Sequence, residues 1–250
     1  MSVKLKVLSY NIHKGIGGVD RRYDLDRIVQ TIQHYDPDIV ALQEVDDGVP
    51  RSRLHRQVDL LAEQLALPHT AFQLNVKLRT GGYGNAILSK HVLHDASDLD
   101  LTVKPKKRRQ ALLVRTTIHC EGHQRTVVIA NTHLGLAGFE RAIQLRRLVG
   151  CDYLQHVQSS TPLILAGDFN DVWGGLGKRH LEPQGFQPAF GALRTFPAVM
   201  PLRPLDRIYF RGEMALEHGF AGHTELARQA SDHLPVVAEF RLPIPGTESS

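Results

Sequence analysis

Leu163-Ile164-Leu165-Ala166-Gly167-Asp168-Phe169-Asn170 is the stretch from which the rest of the chain is read. Four apolar residues in a row, entered through Thr161 and Pro162, predict a strand buried on both faces. Gly167 ends the run and permits a close backbone approach. Asp168 and Asn170 follow, two positions apart. On an extended chain that spacing puts a carboxylate and an amide on one face. Open α/β sheets build their sites at such strand ends. The plainer reading is a strand followed by an Asx-turn.

The chain has 250 residues, 42% hydrophobic and 22% charged. That suits one large α/β domain. We expect it to occupy residues 1–242, with a Pro-, Gly- and Ser-rich tail over 243–250 that frays. Residues 1–6 carry no signal-peptide core, and no apolar run is long enough to span a bilayer. Cys120 and Cys151 have no metal-ligand spacing, so both read as buried or inert thiols in a reducing, cytoplasmic compartment. A net charge of +4 is a small excess that favours an anionic partner.

Residues 5–10 form a short apolar strand that delivers Asn11. A glycine-bearing loop follows and holds His13, Lys14, Arg21 and Arg22. Asp24 is placed to cap a helix carrying Leu25, Ile28, Val29 and Ile32, which Asp36-Pro37 stops. Residues 39–42 are a second buried strand, with Gln43 and Glu44 at its end. A helix over Val58, Leu61 and Leu65 follows, then a strand at 72–78, a turn at 81–84 and a strand at 85–89. Residues 111–119 and 125–132 read as strands paired across a turn at Glu121-Gly122-His123. One helix is expected over 139–157. Past Asn170 the chain is loop-rich until strands near 205–210, 216–220 and 236–240.

A faint duplication runs through this order. Asn11 and Glu44 lie 33 positions apart at the ends of one strand–helix–strand unit; His133 and Asp168 lie 35 apart in another. Two such units would bring four polar residues to matching edges of two sheets, although βαβ units commonly have this length.

The polar residues at strand ends are Asn11, Glu44, His133, Asp168, Asn170, Asp206, Asp232 and His233. Unpartnered buried carboxylates are costly, so this set calls for a cation or a histidine nearby. Oxygen donors without a thiolate cluster suit Mg²⁺ or Mn²⁺ rather than zinc. Glu44 is the leading candidate ligand, helped by Asn11 and Asp232. Asp206 opens one strand and His233 precedes another. If they meet, the carboxylate fixes the ring's tautomer and His233 can take a proton from water. His133 can bind or protonate a phosphate.

Seven segments resemble, in order, the motifs of the endonuclease/exonuclease/phosphatase (DNase I-like) superfamily. They are Ser9-Tyr10-Asn11, Leu42-Gln43-Glu44-Val45, Gly84-Asn85-Ala86-Ile87-Leu88-Ser89, Asn131-Thr132-His133-Leu134, Gly167-Asp168-Phe169-Asn170, Leu205-Asp206-Arg207-Ile208 and Ser231-Asp232-His233-Leu234-Pro235-Val236. The resemblance covers residues 4–242. It implies a four-layer α/β/β/α sandwich, two mixed sheets face to face with helices outside. It also implies a Mg²⁺-dependent phosphodiester hydrolase. Glu44 would hold the metal with Asn11 and Asp232. Asp206 and His233 look like the water-activating dyad, and either Asp168 or His233 is the base. Asp168 and Asn170 would orient the nucleophile or stabilise pentacovalent phosphorus, and His133 would donate to a phosphate oxygen. His13, two residues after Asn11, stands where some DNA-repair members carry an aspartate. That weakens an abasic-site repair reading and is similar to small bacterial members.

Loops must choose the substrate. Lys104 to Arg109 packs five cations into six positions, so Lys106, Lys107, Arg108 and Arg109 are candidate phosphate contacts, with Asn85 a further substrate contact. The Arg51, Arg53 and Arg56 group reads more simply as a solvated helix start. Salt-sensitive binding of a nucleic acid by a monomeric nuclease is the first reading. A phospholipid-headgroup phosphodiesterase, or a phosphatase for inositol phosphates or nucleotides, is the alternative; no long apolar insertion speaks for it. An inactive binding module on the same fold is the third, and the intact motif set argues against it.

Overall fold

The computed structural model describes residues 2–120 and 122–243. Pro243, expected to open the tail, is instead the last residue of the final strand; the rest of the expected tail, the turn residue Glu121 and the side chain of Cys120 lie outside the described residues. Cys151 is a free, half-buried thiol whose burial raises its pKa.

The first half holds β1 (Ser2–Asn11), α1 (Leu25–Tyr35), β2 (Ile39–Asp47), α2 (Gln57–Leu65), β3 (His69–Lys77), β4 (Gly82–Ser89) and β5 (Leu93–Asp100). Then come β6 (Gln110–Cys120), β7 (His123–His133), α3 (Gly138–Val149), α4 (Asp152–Gln155), β8 (Leu163–Asp168) and α5 (Gly175–His180). The chain closes with β9 (Gln187–Pro188), β10 (Asp206–Arg211), β11 (Ala215–Ala221), α6 (Glu225–Ala230) and β12 (Val236–Pro243). Two six-stranded mixed sheets result, ordered β11-β12-β1-β2-β4-β3 and β5-β6-β7-β8-β10-β9. They pack face to face with helices outside, the four-layer sandwich expected. Among the described residues no helix is long and apolar enough to cross a membrane.

The duplication is real at the level of topology. β1 and β2 run parallel in one sheet, and β7 and β8 run parallel in the other. Helices α1 and α3 make the two crossovers, and the other neighbouring strands pair antiparallel.

Strand alternation explains the apolar runs. In β8, Ile164 and Ala166 face the core between the sheets, while Leu163 and Leu165 face the helical layer. In β1, Leu5 and Val7 point inward, and Leu8 and Tyr10 pack under α1 with Ile28 and Ile32. Helix α1 starts where expected, because the Asp24 side chain accepts from the Arg27 N–H.

The structure corrects several local readings. Gly167 lies inside β8 rather than ending it. Its φ is +145°, and a Cβ there would sit 1.9 Å from the Thr132 carbonyl oxygen. Residues 82–84 belong to β4, not to a turn; a Cβ on Gly84 would come within 1.7 Å of the Gln73 oxygen. Glu44 is not at a strand end. It has φ 57° and sits in a bulge between Leu42 and Val45 while β2 continues to Asp47. A bulge re-aims a side chain, and one extra residue leaves no periodic trace. The expected helix over 139–157 is broken into α3 and α4 around Gly150.

Near one end of the sandwich the inward positions change from apolar to amide. Asn131 of β7 donates to the carbonyls of Leu42 and Ala86 at 2.8 and 2.9 Å. It accepts from Gln43 Nε2 at 2.7 Å. These bonds bolt β7 of one sheet to β2 and β4 of the other. Replacing Asn131 with alanine removes all three bonds from a buried layer, and Gln43 keeps only its weaker bonds to Ser9 and to the Ala41 carbonyl. We expect Asn131→Ala to lower unfolding free energy by about 3 kcal/mol in urea titration. A change below about 1 kcal/mol would show that the bolt contributes little.

Candidate active site

The same inward positions, one or two residues further along, carry the charged groups. His133 ends β7 and Asp168 ends β8, facing each other in register. Asp206 opens β10 and pairs with Asp168 across the next rung. Three neighbouring strands therefore present three polar side chains to one end of the inter-sheet space. Asn11 arrives at the end of β1, Glu44 from the bulge in β2, and Asp232 and His233 from the segment before β12.

Asp168 is the hub. Its Oδ2 accepts from Asn11 Nδ2 at 3.1 Å and lies 3.4 Å from His133 Nε2 and 3.8 Å from His233 Nε2. Its Oδ1 accepts the Asn170 N–H at 3.0 Å. That last bond is an Asx-turn, so the plainer reading of the opening stretch is realised inside the site. Asn170 has φ 50°, which takes it off the alternating strand face, and its Nδ2 donates to the Leu134 carbonyl.

Asp206 and His233 meet, as expected. His233 Nδ1 lies 2.9 Å from Asp206 Oδ2, which also accepts from the Thr195 hydroxyl. Phe196 packs against the His233 ring at 4.9 Å between centroids. Asp206 is fully buried, and its Oδ1 has no hydrogen-bond partner among the described residues.

The three residues expected to hold a metal each meet one turn, His13–Gly15. Lys14 donates its ammonium to Glu44 Oε2, His13 N–H donates to Asn11 Oδ1, and His13 Nδ1 stands 3.8 Å from Asp232 Oδ1. His133 Nδ1 lies 3.9 Å from Glu44 Oε1.

A sequence model of the Endonuclease/Exonuclease/phosphatase family matches residues 8–233. The chain belongs to the endonuclease/exonuclease/phosphatase family. It is 31% identical to the uncharacterized protein YbhP of Escherichia coli K12, over 95% of this chain and 96% of YbhP. A Beutenbergia cavernae endonuclease/exonuclease/phosphatase structure superposes with a TM-score of 0.78 at 25% identity, covering 96% of this chain and 72% of that one. A mannosyl-6-phosphatase from Bacteroides thetaiotaomicron shares the fold, with a TM-score of 0.72 at 18% identity over 94% and 99% of the two chains. Members of this family are hydrolases of phosphoesters and generally use a divalent metal ion.

A hard cation fits the residues present. Glu44, Asn11 and Asp232 offer oxygen donors, and side-chain nitrogens of Lys14 and His13 gather at the two carboxylates. A second group, Asp168, Asp206 and His233, also has ligand atoms within 4.8 Å of one another. There, however, the Nδ1 and Oδ2 atoms are committed to each other, and Asp206 is closed off from solvent.

The field in the family site separates its ionisable groups. Burial works against a charged His233 ring, but Asp206 and Asp168 overcome it and push the pKa up to about 10. Burial, opposed by His233 and aided by Asp206, raises Asp168 to about 6. Burial together with nearby Arg109 holds His133 well below the ordinary histidine value. Glu44 is drawn down to about 2, because His133 and Lys14 outweigh its burial.

Other expected contacts are distributed differently. Asn85 is fully buried and donates to Gln73 and to the Gln110 carbonyl, so it supports the sandwich from inside rather than facing substrate. Lys106, Lys107 and Arg108 are exposed, while Arg109 is buried. Lys107 lies over the Tyr83 ring at 5.2 Å and Lys106 over Phe139 at 5.8 Å, so the basic loop runs along the rim. Arg51 is bound by both oxygens of buried Asp46, and Arg56 pairs with Asp47 and Asp59. That matches the simpler reading of 51–56. Sequence reasoning did not single out Lys14, Thr195 or Phe196 for the site; each acts through a contact distant in the chain.

The raised His233 pKa stabilises the fold fully below about pH 6.5, the ordinary histidine value, and that stabilisation is lost as pH rises through about 10. Ring titration by NMR in metal-free protein should find His233 protonated well above neutrality. In Asp206→Asn its titration should move down by more than one pH unit. A ring titrating near 6.5 in both proteins would contradict the field described.

Proposed function

We propose that this chain is a divalent-metal-dependent phosphodiester hydrolase that directs water onto phosphorus. The observation that supports this reading is the buried Asp168 oxygen, which faces His133, His233 and Asn11 while Asp206 grips the far nitrogen of His233.

Glu44 would hold the ion, with Asn11 and Asp232 beside it. A bound Mg²⁺ or Mn²⁺ would offset negative charge developing on the phosphoryl and leaving-group oxygens. The chain's own residues supply the rest. Asp206 fixes the ring of His233 so that Nε2 points toward Asp168. The attacking water gives up its proton to the Asp168 carboxylate, beside the charged His233 ring. His133, kept from charging by burial and Arg109, donates one hydrogen bond to a phosphoryl oxygen. The Asn170 amide, anchored on the Leu134 carbonyl, orients the nucleophile. Lys106, Lys107 and Arg108 bring positive charge to the mouth, where an anionic substrate enters.

Those cations support a nucleic acid as substrate. A phospholipid headgroup is the second reading, and the exposed apolar groups around the same mouth favour it.

Turnover of bis(p-nitrophenyl) phosphate should require Mg²⁺ or Mn²⁺ and stop with EDTA. His233→Ala and Asp206→Ala should each lower kcat by about 10²–10⁴-fold while the protein stays folded. Folded protein that hydrolyses no phosphoester, or variants that retain full rate, would overturn the reading.

A further inference from the structure

Ten large apolar side chains are exposed among the described residues. Eight of them lie on loops or a first helical turn at the end of the sandwich that carries the site. Leu136 and Phe139 follow His133, and Trp173 follows Asn170. Met200 and Leu202 precede Asp206, and Leu54 lies on the loop after β2. Trp173 is 91% exposed. The loops at the opposite end expose one large apolar residue, Val92, among the described residues.

Cations are interleaved with these groups. Arg53 adjoins Leu54, Arg203 adjoins Leu202, and Lys106 lies over Phe139; all three cations are exposed. Two of the acids nearby are engaged, Asp20 with Arg27 and Asp47 with Arg56. A rim of indole, phenyl and aliphatic groups set among lysines and arginines has the composition of a surface that sits at a lipid–water boundary. A single-stranded nucleic acid would also use the cations and the two aromatic rings. It has no use for the six aliphatic groups, which offer no stacking face.

We propose that this rim docks the protein on an anionic phospholipid bilayer with the site turned toward the headgroups. Apolar side chains enter the interface and the cations meet lipid phosphates. Docking rests on the rim alone. Naming the substrate as a phospholipid headgroup rests additionally on the hydrolase reading. A long apolar insertion is unnecessary, because several short loops share the contact.

Trp173 is the only tryptophan of the chain, so its emission reports the rim directly. The full chain is mixed with vesicles of phosphatidylcholine alone, or of phosphatidylcholine with phosphatidylglycerol. Expected are a blue shift and co-sedimentation with the anionic vesicles, both weakening as salt rises. Leu136→Ser/Phe139→Ser and Met200→Ser/Leu202→Ser should each weaken vesicle binding at least about tenfold. Hydrolysis of the soluble aryl phosphodiester should stay unchanged in both. Binding of vesicles without any turnover would support docking and count against the hydrolase reading. Unchanged emission and sedimentation with anionic vesicles would overturn docking. So would an emission change produced by single-stranded oligonucleotide and not by vesicles, or one produced by self-association without lipid.

Discussion

The hydrogen bonds that Asn131 donates to Leu42 and Ala86 and accepts from Gln43 are the constraint on which the site depends. Two sheets packed through apolar side chains alone can slide, because the hydrophobic effect has no direction. Amide bonds are directional, and in a buried layer a lost one leaves a polar group unsatisfied. The bolt therefore fixes where β7 stands against β2. Gln43 precedes Glu44, and Asn131 lies two residues before His133. Fixing the first pair fixes the second, which is how groups from two sheets come within 4 Å of each other.

Along the inter-sheet space the inward residues form three successive layers. In β7 they are Val127 and Ile129, then Asn131, then His133; in β1 they are Leu5 and Val7, then Ser9, then Asn11. The apolar layer supplies stability, the amide layer alignment, and the charged layer chemistry. Burying so many ionisable groups is tolerable because they face one another. His233 charges against Asp206 and Asp168, and Glu44 against Lys14. The two parallel strand pairs make this possible twice, since a βαβ crossover brings two strand ends to the same edge.

Much of this was legible in the sequence, for reasons that can be stated. A strand buried on both faces must be continuously apolar, so β8 and β2 announced themselves. The cap at Asp24 and the stop at Asp36-Pro37 framed α1. Asp206 and His233 were paired correctly because each abuts an apolar run. What failed was nonperiodic or nonlocal. The Glu44 bulge adds one residue and no pattern. The strand β5 alternates with mostly polar residues, and α5 and α6 are six residues each, too short for a helical stripe. Lys14 and Thr195 matter through partners 30 and 11 positions away. The apolar rim was invisible because its members are spread over several loops without periodic spacing.

The account stands on the two halves of the chain making a single site. Glu44 and Asp168 come from the second parallel strand of each half-unit, β2 in one sheet and β8 in the other. Their cooperation is measured by comparing kcat for a soluble phosphodiester in Glu44→Gln, Asp168→Asn and the double variant. One shared site predicts that the double variant is about as slow as the slower single variant. Losses that multiply would mean that the two halves act independently, and would contradict it.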